Sequence, residues 1–291
     1  MFKPYFKEVP RTKFTSLYKP KISVECPNKN EMIPRLKKVI GATWAEDIAE
    51  AMTIGDPKKL FEGTALWQGL EYLQFFITIE NVSRIFTHQL VRMRIGTTYS
   101  QQCSGDADWR HHDVLVPPSI TKLGSTGLQR YIDHMLLVKQ DYCKLIDGGL
   151  VSLQEARYLL PHNLSTFIIM NTNLAALAPF IRKRMCAQTQ CWEMIVVAKT
   201  IRQQIIEKWP ELMPTMPDDC ASGSCFWAMS VKKGDPDAHT NLYRVGLEHP
   251  KAPMFDIPSV YPIKHRSMVS GKEIEDLYYL GDEKVEPWDT E

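Results

Sequence analysis

Residues 74–94 read Gln74-Phe-Phe-Ile-Thr-Ile-Glu-Asn-Val-Ser-Arg-Ile-Phe-Thr-His-Gln-Leu-Val-Arg-Met-Arg94. Phe75, Ile79, Val82, Phe86, Leu90 and Met93 recur at three- and four-residue steps, the apolar stripe of a helix. The spacing predicts a helix from about Thr64 to Arg94. Ser83, Gln89 and Arg92 fall on or beside that stripe, and Gln89, three residues before Arg92, shares its helix face. Arg92 and Arg94 come at the helix end, next to Gly96. Guanidinium groups there suit a phosphate, which they grip through parallel hydrogen bonds, and equally suit solvated or ion-paired positions. The Gln89 amide joins donor and acceptor, as a pyrimidine edge requires; a helix–helix hydrogen bond would use it as well.

Downstream, residues 96–113 are polar and carry Gly96 and Gly105, which reads as a loop. Val114-Leu-Val116 before Pro117-Pro118 reads as a short strand. A helix is expected over 126–147, burying Leu128, Ile132, Met135, Leu136 and Cys143. Ser152-Leu-Gln-Glu155 has capping-box form and starts a short helix. Phe167–Met170 is a compact apolar run, strand or buried helix. Leu174–Lys183 and Trp192–Ile206 read as helices, the first disturbed by Pro179. Upstream, the first 35 residues are proline-punctuated loop with a short strand at Ile22 and Val24. A helix over 43–53 starts near Thr43 and ends at Asp56-Pro57. From Pro214 periodicity disappears. The expected division is a domain over 1–213 and an irregular extension over 214–291, with a short helix near 271–280.

The chain has 291 residues, 44% hydrophobic and 24% charged, with 35 Lys plus Arg against 34 Asp plus Glu. That composition excludes disorder throughout. A net charge of +1 argues against a long nucleic acid partner. No run reaches the roughly 20 apolar residues of a membrane span. The start, Met1-Phe-Lys-Pro-Tyr-Phe-Lys7, does not resemble a signal peptide. Seven scattered Cys fit free thiols in a reducing cytosol, so a cytoplasmic location is expected. Cys220 and Cys225 lack a second pair at zinc-finger spacing, and no metal is expected. His111-His-Asp113 reads as a solvated loop, and Cys103 as a small replacement for Ser.

Three segments together carry a resemblance. Asn81 to Arg94 looks like the signature region of flavin-dependent thymidylate synthases, with its His-Gln-Leu-Val-Arg-His-Arg sequence and Ser-rich loop ending Ser-x-Arg. Ala156-Arg-Tyr-Leu-Leu-Pro161 with Asn163 resembles that family's Ala-Arg-x-x-Leu-Pro-x-Asn. Phe180-Ile-Arg-Lys-Arg-Met-Cys-Ala-Gln-Thr-Gln-Cys-Trp-Glu193 resembles its Phe-x-x-Leu-Arg…His-Ala-Gln-Trp-Glu. The likeness covers roughly residues 64–208.

The resemblance implies an α/β fold, a twisted, mainly antiparallel sheet with long helices. It implies a one-carbon transfer to C5 of a pyrimidine deoxynucleotide, dUMP to dTMP, from methylenetetrahydrofolate. FAD is the implied cofactor, NADPH the implied reductant and a homotetramer the implied assembly. Carried over by position, Gln89, Arg92, Gln101, Gln102, Cys103, Ser104, Arg157 and Arg184 are expected to bind the nucleotide. Arg157 and Arg184 are the expected catalytic residues. Arg92, Met93, Arg94 and Gln188 are expected against the flavin.

The departures are specific. Met93 stands in place of the central His of Arg-His-Arg, and Gln188 in place of the His before Ala-Gln-Trp-Glu. Cys191 is inserted there. Pro179 replaces an Asn, and Glu71-Tyr72 stands where Glu-His is usual. The Arg of the Ser-x-Arg loop is missing, with Arg110 as a possible substitute. These changes keep two other readings open: hydroxymethylation of dUMP or dCMP, and a non-catalytic nucleotide-binding paralogue.

Overall fold

The computed structural model of the chain describes residues 20–43, 55, 60–61, 68–105, 109, 112–117, 120, 124–149, 151–185 and 192–217, and the backbone of 14–16, 260–266 and 273–279. Its centre is an antiparallel sheet of four strands in the order β2, β3, β6, β4. These are β2 (Lys21–Glu25), β3 (Gln74–Ser83), β4 (Thr97–Gln101) and β6 (Ser165–Asn173). Mixed helix and antiparallel sheet is the architecture that the resemblance implied.

The stretch 74–83 is strand, not helix. Phe75, Ile77 and Ile79 are buried, whereas Gln74, Phe76 and Glu80 are exposed, the alternation of a half-buried strand. Phe75, Ile79 and Val82 fit a helical stripe only because a bulge lies between Ile79 and Val82. Asn81 takes φ +57° there, and Val82 still reaches the buried face. Beta-branched and aromatic side chains dominate the segment and suit a pleated surface. Only Arg84–Leu90 is helical, as α2. Residues 97–101, expected as loop, form edge strand β4 along β6.

α1 runs over Lys29–Thr43, so Thr43 ends a helix that was expected to begin there. Most of the predicted 43–53 helix lies outside the described residues. α3 (Gly124–Asp147), α4 (Leu153–Ala156), α5 (Leu174–Arg184) and α6 (Trp192–Lys208) fall close to expectation. The capping box at Ser152 and Glu155 is formed. Pro179 sits inside α5 without ending it.

The inner face of the sheet (Val24, Phe75, Ile77, Ile79, Ile168, Met170) packs in one core with Leu177 and Ile181 of α5 and Val197, Ile201 and Ile205 of α6. A second core joins Leu128, Ile132, Met135 and Tyr142 of α3 to Trp109, Val114, Val116 and Leu164. Val114–Val116 forms β5, in parallel pairing with β1 (Phe14–Ser16). In the C-terminal part, β7 (Val260–Arg266) and β8 (Glu273–Tyr279) pair antiparallel; a strand occupies 273–279 where a helix was expected. Among the described residues no helix is long and apolar enough to cross a membrane.

β3 and β6 each run directly into a helix. Asn173 ends β6 and caps α5, its Oδ1 accepting from the Ala176 amide at 2.9 Å. The Asn173 amide donates to Gly96 O at 3.0 Å. Gly96 has φ +68°, and a Cβ there would lie 2.7 Å from Asn173 Nδ2. Gly96→Ala is therefore expected to lower stability by about 1–2 kcal/mol through the left-handed backbone alone, with more from crowding of the cap. The shift of the urea unfolding midpoint measures it.

Candidate active site

The site is built around α2, whose two ends are held by different parts of the chain. Ser83 closes β3 and is the N-cap of α2, its Oγ accepting from the Phe86 amide at 3.1 Å. Glu193, in the first turn of α6 and 3% exposed, takes up the rest of Ser83. The Ser83 amide donates to Oε1 at 2.7 Å and the Ser83 hydroxyl to Oε2 at 2.6 Å. Burial pushes the Glu193 carboxyl up to about 7, and the two Ser83 bonds oppose that shift.

At the other end, α2 meets the end of α5. Arg184 Nη2 donates to Gln89 O at 3.2 Å, satisfying a carbonyl of the last helical turn. Its guanidinium also lies 5.6 Å from the centre of the Phe180 ring. Tyr99 of β4 holds the turn after α2, its hydroxyl donating to Leu90 O at 2.9 Å and Met93 O at 2.8 Å. Burial pushes that phenol up to about 12, against the pull of the nearby Arg184 charge.

The end of β4 and the loop after it lie along α2. Gln101 Nε2 donates to Thr87 Oγ1 at 2.8 Å, and Arg84 Nη1 to Gln102 O at 3.1 Å. Arg84, Gln102, Cys103, Ser104, His112 and Thr166 are among the residues lining a small cleft at this point. His112, expected in a solvated loop, is half-buried, with Nδ1 3.1 Å from Ser165 O.

The expected nucleotide residues thus fall in two groups. Gln89 and Arg184 meet where α2 and α5 end; Gln102, Cys103 and Ser104 line the cleft. The Gln89 amide has no hydrogen-bond partner among the described residues, and no helix–helix bond to it is made among them. Arg157 is exposed, opening the 3-10 turn Arg157–Leu159, and Leu160 behind it lines the cleft. Arg92, Met93 and Arg94 follow α2, with Arg92 beyond the helix and off the face it was expected to share with Gln89. Arg92, Arg94 and Arg157 have no carboxylate partner among the described residues. Gln188, Arg110, Cys191 and the Cys220–Cys225 pair lie outside the described residues. The ring of His88 lies edge-on to that of His162, with centres 6.2 Å apart.

Sequence reasoning missed three residues here. Glu193 was visible only as part of a motif; an acid four residues after Thr189-Gln in an amphipathic run reads as a solvated helix start. Tyr99 read as a loop residue. Arg84 read as part of a longer helix.

Residues 45–211, more than half of the chain, match the family model described as thymidylate synthase complementing protein. The chain belongs to the flavin-dependent thymidylate synthase family. It is 33% identical over 149 residues to the flavin-dependent thymidylate synthase of Nitratidesulfovibrio vulgaris, a match covering 49% of this chain and 60% of that one. With the enzyme of the same name from Clostridium tetani it shares 30% over 171 residues, 54% of this chain and 68% of the relative. The matched region therefore spans about three fifths to two thirds of these relatives. Among solved structures, the UMP/dUMP methylase PolB of Streptomyces cacaoi, bound with 5-Br dUMP, has a TM-score of 0.55 at 15% identity and covers 72% of this chain and 97% of its own. Thymidylate synthase X of Helicobacter pylori, with FAD and dUMP, has a TM-score of 0.50 at 18% identity, covering 68% and 98%. At such identities the likeness is one of fold.

The Ser83–Glu193 contact has a pH signature. Glu193 goes from its ordinary 4.5 to about 7 in the folded chain. Between those values the folded state holds a proton that the unfolded state has released. Its contribution to stability is complete below about pH 4.5 and is lost as pH rises through about 7. Glu193→Gln, which mimics the protonated acid, is expected to flatten this fall in urea unfolding series across that range. Glu193→Ala leaves the Ser83 amide without its acceptor and costs about 1–3 kcal/mol at every pH. Tyr99→Phe is expected to cost about 1 kcal/mol by freeing the carbonyls of Leu90 and Met93, read in the same unfolding experiment.

Proposed function

We propose that this protein transfers a one-carbon unit to C5 of a pyrimidine deoxynucleotide, converting dUMP to dTMP with methylenetetrahydrofolate as donor. The observation carrying this reading is the pairing of Arg184 with the end of α2, beside a Gln89 amide with no partner among the described residues. A Gln amide supplies the donor and acceptor that a uracil edge needs. A guanidinium beside it would bind the pyrimidine carbonyls and stabilise the enolate-like charge that develops as C5 attacks carbon. Arg157, exposed and unpaired among the described residues, offers a second cation for the nucleotide. The names of the curated relatives and the dUMP-type ligands in the two solved structures support the same substrate class.

The residues present fit FAD. Arg92 and Arg94, without carboxylate partners among the described residues, follow a helix end whose Leu90 carbonyl is already occupied by Tyr99. Two such guanidinium groups suit a diphosphate. Met93, and Gln188 outside the described residues, would complete the contact in place of the usual imidazoles. When bound, FAD reduced by NADPH would supply the hydride that completes the methyl group. A homotetramer is part of this reading. Phe76 and Phe167 on the outer face of the sheet, and Ile95 at 89% exposure, are apolar surface for neighbouring subunits to cover. We read 1–213 as the site-bearing domain and 214–291 as its extension.

The test is an FAD titration of the purified chain with and without dUMP, followed by product analysis. Retention of FAD near one per subunit and a C5-methylated product are expected. A product heavier by one oxygen would identify hydroxymethylation, and absence of flavin and turnover would leave only nucleotide binding. Arg184→Ala is expected to weaken dUMP binding by about 1.5–3 kcal/mol, roughly ten- to hundredfold. Calorimetric titration measures this, with each Cys variant expected to bind like the wild type.

A further inference from the structure

Glu193 is a buried acid that none of the roles expected at the site uses. It reaches Ser83, 110 residues earlier in the chain, with both carboxylate oxygens. Those bonds, at 2.7 and 2.6 Å, are at the short end of the ordinary range and leave the cap of α2 little room to drift. A seven-residue helix cannot supply such rigidity itself. Tyr99 and Arg184 hold only its far end. The near half of α2 in turn holds the segment after β4. Arg84 Nη1 donates to Gln102 O at 3.1 Å. Gln101 Nε2 donates to Thr87 Oγ1 at 2.8 Å, and that hydroxyl donates on to Arg84 O at 3.1 Å. A continuous set of contacts thus runs from α6 through Ser83 and α2 to Gln101 and Gln102, the start of the run 101–104. Thr87 is four residues from Ser83, about 6 Å along the helix axis. A displacement of the cap therefore passes to that run almost undiminished.

We propose that Glu193 is a positioning residue of the nucleotide site: through Ser83 it fixes α2, and through α2 it fixes the run 101–104. The proposal rests on the functional reading above, in which that run and α2 meet the nucleotide. Glu193 touches no ligand itself. Its effect on binding comes from where it holds Arg84, Thr87 and the residues they carry. A glutamine keeps both contacts, because its carbonyl accepts from the Ser83 amide and its NH2 group donates to the Ser83 hydroxyl oxygen. An alanine keeps neither.

The test measures dUMP binding by calorimetry and amide hydrogen exchange on the full-length protein, under conditions where each variant is folded by circular dichroism. Glu193→Ala is expected to weaken dUMP at least tenfold, and Glu193→Gln to stay within threefold of wild type. Ile205→Ala removes buried volume about 18 Å further along α6. It is expected to lower stability yet bind dUMP within twofold of wild type, which separates positioning from general destabilisation. Glu193→Asp, a methylene short of Ser83, is expected to lose as much as the alanine variant and serves if that one does not fold. In exchange, the amides of 84–91 and 101–104 are expected to open faster in Glu193→Ala and not in Glu193→Gln, with those of α3 unchanged. Equal dUMP affinity in Glu193→Ala and Ile205→Ala, or failure of the glutamine to restore binding, would overturn the proposal. A wild type that binds no dUMP brings down the functional reading, and exchange alone then decides. Acceleration confined to α2 and 101–104 supports the hold of Glu193 on them, and uniform acceleration or none overturns it.

Discussion

One side chain, Ser83, ends a strand, caps a helix and receives a buried carboxylate. Its backbone pairs with Ser165 in the sheet, its hydroxyl accepts from the Phe86 amide, and its amide and hydroxyl both reach Glu193. α2 is only seven residues long, far below the length at which a helix is stable by itself in water. Its orientation must come from tertiary packing of Phe86 and Leu90 and from its cap. Glu193 belongs to α6, which packs under the sheet, so the cap ties α2 to the core rather than to its local loop. Moving α2 would leave the buried Glu193 carboxyl without its two Ser83 donors, a costly state.

The other end of α2 is held just as specifically, by Tyr99 from the edge strand and Arg184 from α5. The last carbonyls of a helix ordinarily go to water, and here two side chains take them. The reach is possible because β3 and β6 are antiparallel neighbours with a helix following each strand. α5, capped by Asn173 at one end of the sheet, turns back beneath it, so its last residue arrives where α2 ends. Fold and site share this one geometric consequence.

Some of this was legible in the chain. Helices α3, α5 and α6 follow from periodicity because each buries a wide stripe and exposes the rest. The Ser152 capping box formed because its chemistry is local. β3 was misread because two periods coincide on Phe75, Ile79 and Val82; the decisive residue, Ile77, fits only the strand. β4 was misread because an edge strand polar on both faces, Thr97-Thr-Tyr-Ser-Gln101, carries no hydrophobic alternation. The arginines could be listed from motifs. That Arg84 faces the 102–104 loop, while Arg184 meets the end of α2, depends on sheet pairing between residues far apart in sequence.

The placement of charge gives the last constraint. The chain is nearly neutral, with about as many acids as bases, so carboxylates are available to neutralise its arginines. Yet Arg84, Arg92, Arg94 and Arg157, on or close to one short helix and the cleft beside it, have no carboxylate partner among the described residues. Bringing like charges together without counterions costs folding free energy. A nucleotide phosphate and a flavin diphosphate would supply the missing negative charge. Each would bind the folded chain and not the unfolded one, and so would stabilise it by mass action. On the proposed function, the ligands would complete the electrostatics of the fold, and the two anchored ends of α2 would keep these charges in register with them.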